Sequence, residues 1–349
     1  MTADAVRVTR SRFPIYWTWL IVAAVVAGLA ALPAVVEPAL TDTMINAFIL
    51  LTMASMWNLL AGYAGLVSVG QQVFIGLGAY VVLIMAQNGV DPFVAIPFAA
   101  IGCAIAAVPI SWLVFRLRGG YFAIATWVVA DACQLLISRV PSLGGGTGAT
   151  LPGIAGRDPG SLTTMTYWAA LAVTVATIVV AYLLLRSRLG LVLTAVRDNE
   201  IGAGSLGARV AWTKRIVYLV AAAGAGGAGA LLIVSQLNVQ ATSVFSVSWS
   251  ADMIFITIIG GIGSIEGPII GTFVYMLLEQ TLASYGAGYL IVLGVVAVVI
   301  ALWAPRGLWG VISSRTGLRP FPVGYWLWPA TRADPSEPPR GDPEPDGAS

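Results

Sequence analysis

The chemistry open to this chain is bounded first by what it lacks. It contains no histidine, which excludes imidazole acid–base catalysis and imidazole metal ligands together. Its two cysteines, Cys103 and Cys133, both lie inside apolar runs. They read as small core residues, not as a disulfide or a metal pair. The residues that stand out are polar groups embedded in apolar sequence. Asp131 reads as the one carboxylate well inside such a run and far from its ends. A charge at mid-membrane costs about 2.5–3.5 kcal/mol on insertion scales, so something must compensate it. Gln134 and Trp127 share its helical face, and Gln134 is the expected local partner. The functional reading of Asp131 stands beside a bland one, a protonated or internally hydrogen-bonded structural aspartate. Ser68, Gln71 and Gln72 are spaced three and four apart, which on a helix places them on one face. Such groups should turn away from lipid, either as part of a polar pathway or as helix–helix glue.

The runs that carry these residues define the fold class. The chain has 349 residues, 58% hydrophobic and 10% charged, against about 45–50% and about 25% in soluble domains. So little charge cannot cover a water-facing surface of this size, which excludes a soluble enzyme. A net charge of +2 without a basic run gives nothing that could track phosphates, so no nucleic acid is expected. The expected fold is an all-α polytopic membrane protein of about ten transmembrane helices, eight to ten. They are read at 16–36, 43–62, 66–87, 93–115, 120–138, 164–185, 215–237, 250–263, 267–283 and 287–305. The third, eighth and ninth are short or glycine-rich and are expected to be broken or re-entrant. The first run is long enough to remain as a span and not be cleaved as a signal. With both termini cytoplasmic, all of the 18 basic residues except Arg139 and Arg157 fall on the inner side, as the positive-inside rule requires.

This divides the chain into a cytoplasmic segment 1–15, a membrane domain 16–305, and a cytoplasmic tail 306–349. The tail should be disordered after about residue 329 because it is Pro-rich and acidic. Phe321, Tyr325, Trp326 and Trp328 read as interfacial aromatics. The outer loop 139–163 contains Gly144, Gly145, Gly146, Thr147 and Gly148. A phosphate-binding loop would need Gly-Lys-Ser/Thr, and the single lysine, Lys214, follows Thr213. The loop therefore reads as a tight turn or docking surface. In the inner loop 187–214, Asp198 is the expected N-cap and Gly207 the expected stop of a helix of about two turns. Such a helix does not persist alone in water and needs a partner surface. Ile201 and Leu206 would form its apolar anchor, with Arg197 and Glu200 as a charged rim. The stretch Gly260–Gly271 reads as a tight hairpin between two short spans.

Taken together, these clusters resemble one family, the LivM-type permease subunits of branched-chain amino-acid ABC importers. Gly65, Ser68, Gly70, Phe74, Gly76, Gly78, Ala79 and Tyr80 match its early motif, with Leu66 in place of Gln and Gln71 in place of His. Arg118 to Thr126 match Arg-Gly-x-Tyr-Phe-Ala-Ile-x-Thr, and Asp131 replaces the glutamate that follows. Arg197, Asp198, Asn199, Glu200 and Ile201, with Leu206 and Gly207, match the inner-loop signature. Gly260 to Gly271 match the Gly-Pro hairpin. The resemblance covers roughly residues 43–305. It implies a non-enzymatic subunit without cofactor or metal, forming half of a translocation pathway in a bacterial inner membrane. The implied pathway residues are Ser68, Gln71, Gln72, Phe122, Thr126, Asp131 and Gln134. The 197–207 segment would couple to ATPases. The implied partners are a second, LivH-like permease, two cytosolic ATP-binding subunits and an extracytoplasmic substrate-binding protein. Amides or urea remain alternative substrates, and a proton-coupled secondary transporter using Asp131 is the rival class.

Overall fold

A computed structural model describes residues 7–9, 15–154, 156–282, 288–304, 306–317, 320–321 and 326–328. Arg10, Arg12, Arg319, Tyr325 and the tail after Pro329 lie outside the described residues. The chain folds into helices α1 (Ile15–Ala31), α2 (Pro38–Asn58), α3 (Gln72–Gln87), α4 (Pro92–Val114), α5 (Gly120–Ser138), α6 (Pro159–Arg186) and α7 (Arg188–Asp198). Then follow α8 (Glu200–Ser205), α9 (Val210–Gln236), α10 (Ala241–Val244), α11 (Val247–Gly260), α12 (Glu266–Leu282), α13 (Gly288–Trp303) and α14 (Gly307–Thr316). A π-helical turn, Leu59–Tyr63, extends α2. The structure is an all-α polytopic membrane protein, and a helix occupies each of the ten expected span positions. Six helical stretches among the described residues are long and apolar enough to cross a bilayer without help, among them Ala241–Gly260; α3 is shorter.

Helix starts follow local chemistry. Asp91 and Asp158 each precede a proline that opens a helix, and each accepts from a free backbone N–H, of Phe93 (2.9 Å) and Ser161 (3.0 Å). These are the donors a first turn leaves without partners. Asp91 is also paired with Arg157 across the loops. Burial would raise the Asp91 carboxyl, but the Arg157 and Phe93 hydrogen bonds outweigh it and hold it below the usual carboxylate range.

The core is built around α9, which packs most extensively on α4 and α3. The α9 stretch Ala-Ala-Ala-Gly-Ala-Gly-Gly-Ala-Gly-Ala lets neighbouring backbones come close, the packing that replaces hydrophobic drive in lipid. Gly78 of α3 lies against the Gly226 backbone, and Gly229 of α9 against that of Ile75. Both cysteines are free, and Cys103 is buried with its Sγ donating to the Phe74 carbonyl at 3.4 Å.

The segments sort to two ends. At one lie the outer loop, where Ala149–Thr150 pairs with Asn238–Val239, and the Asp91–Arg157 pair. Four of the five residues in the Gly144–Gly148 turn are glycines at positive φ, which is the tight turn expected there. At the other end lie the α2 terminus, α7 and the 261–265 hairpin. Phe321 packs there edge-on to Tyr182 and donates its N–H to Glu266. Arg7–Thr9 pairs with Trp326–Trp328, so the segments flanking the bundle meet.

A Cβ at Gly78 would stand 2.1 Å from the Gly226 carbonyl oxygen, whereas one at Gly28 meets nothing within 4 Å. Gly78→Ala should therefore force α3 from α9 and cost about 1–3 kcal/mol, while Gly28→Ala should be near neutral. Thermal unfolding in detergent measures both. Equal effects would contradict the packing described.

Candidate functional site

The expected pathway residues separate into two places. Ser68 is not helical. Residues 65–70 run irregularly before α3 opens at Gln72, so Ser68, Gln71 and Gln72 do not share a helix face. They converge nonetheless, each at most 1% exposed. Gly65, at φ +67°, turns the chain out of the α2 terminus. Irregular backbone at membrane depth must find its hydrogen bonds within the protein, and here side chains supply them. Trp57 Nε1 donates to the Ser68 carbonyl at 2.8 Å, and Val69 N–H donates to Thr126 Oγ1 at 3.3 Å. A Cβ at Gly70 would be 1.9 Å from the Thr126 carbonyl, so only glycine allows the segment this close to α5. Phe122 is buried on the same face of α5, its ring 5.8 Å from that of Phe115.

This region holds unused hydrogen-bonding capacity. Gln72 Oε1 accepts from Ser250 of α11. Gln72 Nε2 and both amide atoms of Gln71 are buried without a partner among the described residues. Such groups are uncommon in native interiors and mark sites of function or hydration.

Asp131 stands apart from this cluster. It is exposed, on the face of α5 that carries Tyr121, Ile124, Val128 and Leu135. Gln134 is half-buried, and no hydrogen bond joins it to Asp131 among the described residues. The mid-span position expected of Asp131 is found, whereas the local compensation by Gln134 is corrected. The buried face of α5 is taken by Phe122, Thr126 and Ala130, and Asp131, five residues beyond Thr126, falls on nearly the opposite side.

The inner loop is more structured than its sequence suggested. An eleven-residue amphipathic helix, α7, fills its first part. Asp198 is the last residue of α7, and the N-cap of α8 is Asn199, whose side chain accepts from Gly202 N–H at 2.8 Å. The cap thus lies one residue beyond the expected position, and the Asp198 carboxylate pairs with Arg197 instead. Gly207 takes φ +87° directly after α8, as expected of a stop. The charged rim is engaged within the chain. Arg197 Nη1 donates to the Gly62 carbonyl at 2.8 Å, and Glu200 pairs with Lys214 at 2.8 Å. Ile201 and Leu206 are left 80% and 90% exposed.

Arg197 thus ties α7 to the end of α2, where a second contact converges. Asn58, in the last turn of α2, accepts from Gly263 N–H (2.8 Å) and donates to the Ser264 carbonyl (2.7 Å). A Cβ at Gly62 would collide with Asn58 and with Gly263. Three elements therefore meet at one point: the α2 terminus, α7 and the α11–α12 hairpin. Asn58 is a functional residue that the sequence pattern alone does not single out. Its signal was an amide in an otherwise apolar run.

Residues 39–303 match the family described as branched-chain amino acid transport system, permease component. The chain belongs to that family. It is 27% identical over 278 residues to the high-affinity branched-chain amino acid transport system permease protein LivM of Escherichia coli, covering 72% of this chain and 65% of that protein. The LivM protein of Salmonella typhimurium matches to the same extent. The chain thus spans about 65% of the length of the curated relatives it matches. No solved structure matches it. The matched range takes in every residue of the two regions described above, from Asn58 to the hairpin.

Asn58 serves both a donor and an acceptor of the hairpin, so Asn58→Leu leaves two backbone groups unpaired, at about 1–3 kcal/mol each. Hydrogen exchange should accelerate at 261–265 while the α3–α9 core stays protected. Unchanged protection at 261–265 would mean that Asn58 does not hold the hairpin.

Proposed function

We propose that this chain is one permease subunit of an ABC importer for branched-chain or related amino acids, in a bacterial cytoplasmic membrane. The observation that carries this reading is α5. One of its faces packs on the irregular 65–71 segment. The other is bare, with a carboxylate at mid-helix that finds no partner among the described residues. A carboxylate facing lipid is costly, so its compensation must come from outside the chain. A second, LivH-like permease facing α5 supplies it and leaves a polar pathway between the two subunits. Asp131 then lines that pathway. The unpartnered amide of Gln71 and the half-satisfied amide of Gln72 lie behind α5, with Ser68 and Thr126, where a small shift of α5 would expose them.

The same reading gives the inner loop its role. The positive-inside rule makes the α7–α8 end cytoplasmic. Ile201 and Leu206 are the apolar anchors offered to one of two cytosolic ATP-binding subunits, the arrangement of a buried apolar contact with a polar rim. Arg197 transmits movement of the docked segment to α2 instead of contacting the ATPase. An extracytoplasmic binding protein delivers substrate to the opposite end. The family membership, the relatives' names and the free anchors support this assembly.

In liposomes, the chain alone should not transport. The full assembly should take up a branched-chain amino acid on addition of ATP. Asp131→Asn and Asp131→Ala should assemble normally and lose most uptake. Ile201→Asp combined with Leu206→Asp should lose ATPase association, which pull-down reads directly. Uptake by the chain alone under a proton gradient, or full uptake by both Asp131 variants, contradicts the proposal.

A further inference from the structure

A cavity of about 560 Å³ lies between α2, α10, α11 and α12, at the end of the bundle opposite Asn58. It is separate from the bare face of α5. Two carboxylates line it, Asp252 and Glu279, with no lysine or arginine. Asp252 is only 8% exposed. One of its oxygens accepts from the Tyr275 hydroxyl at 2.8 Å, and the other has no hydrogen bond among the described residues. Glu279 lies one turn beyond Tyr275 on α12 and is half-buried. In the span expected at 250–263, Asp252 stands near the helix end. Because α11 starts at Val247 and follows α10, Asp252 lies inside.

A carboxylate this enclosed is expensive unless it takes up a proton or a cation joins it, and the described residues provide no cation in the cavity. The rest of the lining suits an organic cation. Trp249 presents a ring whose orientation is fixed by Nε1 donating to the Ser243 carbonyl at 2.9 Å. Aromatic faces attract ammonium groups. Asn46 and Thr43 add neutral acceptors, and Leu50 and Leu232 add an apolar wall. No group of three metal-ligating carboxylates, cysteines or histidines occurs among the described residues. An anion would meet two carboxylates and no counter-charge.

We propose that this cavity binds a small primary-ammonium compound, with Asp252 and Glu279 accepting from the ammonium and the aromatic and aliphatic walls holding a short apolar substituent. The proposal stands on the cavity alone and does not depend on the importer reading, since binding requires neither ATPase nor second permease.

The test is ligand protection in the full chain. Thr43, half-buried on the cavity wall, is replaced by cysteine in a Cys133→Ala background; Cys103 is buried. The protein is placed in phosphatidylglycerol nanodiscs, which carry no amine headgroup. Saturating 3-methylbutylammonium should slow maleimide labelling of Thr43→Cys by at least about fivefold, as occupancy requires. The shape-matched anion 4-methylpentanoate should not slow it. Protection should largely disappear in Asp252→Asn, which keeps an acceptor for Tyr275, and in Glu279→Gln. Should Asp252→Asn fail to elute as a folded species, Glu279→Gln carries the test. No protection by the ammonium, equal protection by the anion, or protection undiminished in the folded variants overturns the proposal. So does complete protection by phosphatidylethanolamine nanodiscs alone, which would assign the cavity to a lipid headgroup.

Discussion

A helix that ends inside a membrane protein leaves its last carbonyls without partners, and hydrocarbon supplies none. The α2 terminus meets this constraint, and the inner end of the structure is arranged around it. The π turn at Leu59–Tyr63 directs the Gly62 carbonyl at Arg197, which donates to it from α7. Leu66 N–H closes on the Leu60 carbonyl at 2.9 Å and turns the chain into the irregular segment. Asn58, one turn earlier, takes the hairpin backbone. The carbonyls of Gly62 and Leu60 thereby join the inner loop and the polar segment to α2, and the Asn58 side chain joins α11–α12. A movement of α7 cannot leave α2 unaffected without breaking a bond that nothing else replaces.

The second organising feature is close backbone approach. Glycines on α3 and α9 draw these helices together, while Gly70 admits the irregular segment to α5. What this packing leaves uncovered is as informative as what it buries. The core helices α2 and α9 are largely enclosed, whereas α4 and α5 expose most of their length. An exposed apolar helix in a bilayer is unremarkable. One that also exposes Asp131 at its middle is not, and this asymmetry is the physical basis for reading the chain as half of a pathway.

Much of the fold was legible in the sequence because bilayer spans announce themselves by length and apolarity. All ten positions hold a helix, and the glycine-rich hairpin and turn formed as expected. What was not legible depended on where helices begin. Ser68 was placed on α3 because hydropathy does not distinguish a helix from a buried irregular segment served by Trp57 and Thr126. Asp252 is not legible as an interior residue because α11 begins at Val247, three residues before the apolar run that marks the span. The face of Asp131 could not be read because Phe122 and Thr126, on nearly the opposite side, are equally plausible inner residues. Around Asp198 the cap fell one residue on, since Asn199 offers the same chemistry. Arg197 and Glu200 look like a solvated charged rim in sequence, and only the fold shows that Gly62 and Lys214 already occupy them.

The central claim is that Arg197 transmits movement of the inner loop to the end of α2. It is tested most directly by hydrogen exchange on the reconstituted assembly with and without nucleotide. In the wild type, protection should change together at 200–206, at 58–64 and at 261–265. In Arg197→Ala the change at 200–206 should persist, because Ile201 and Leu206 still dock, while the changes at 58–64 and 261–265 should vanish. Persistence of the nucleotide-dependent change at 58–64 in Arg197→Ala would contradict the account and place the coupling elsewhere.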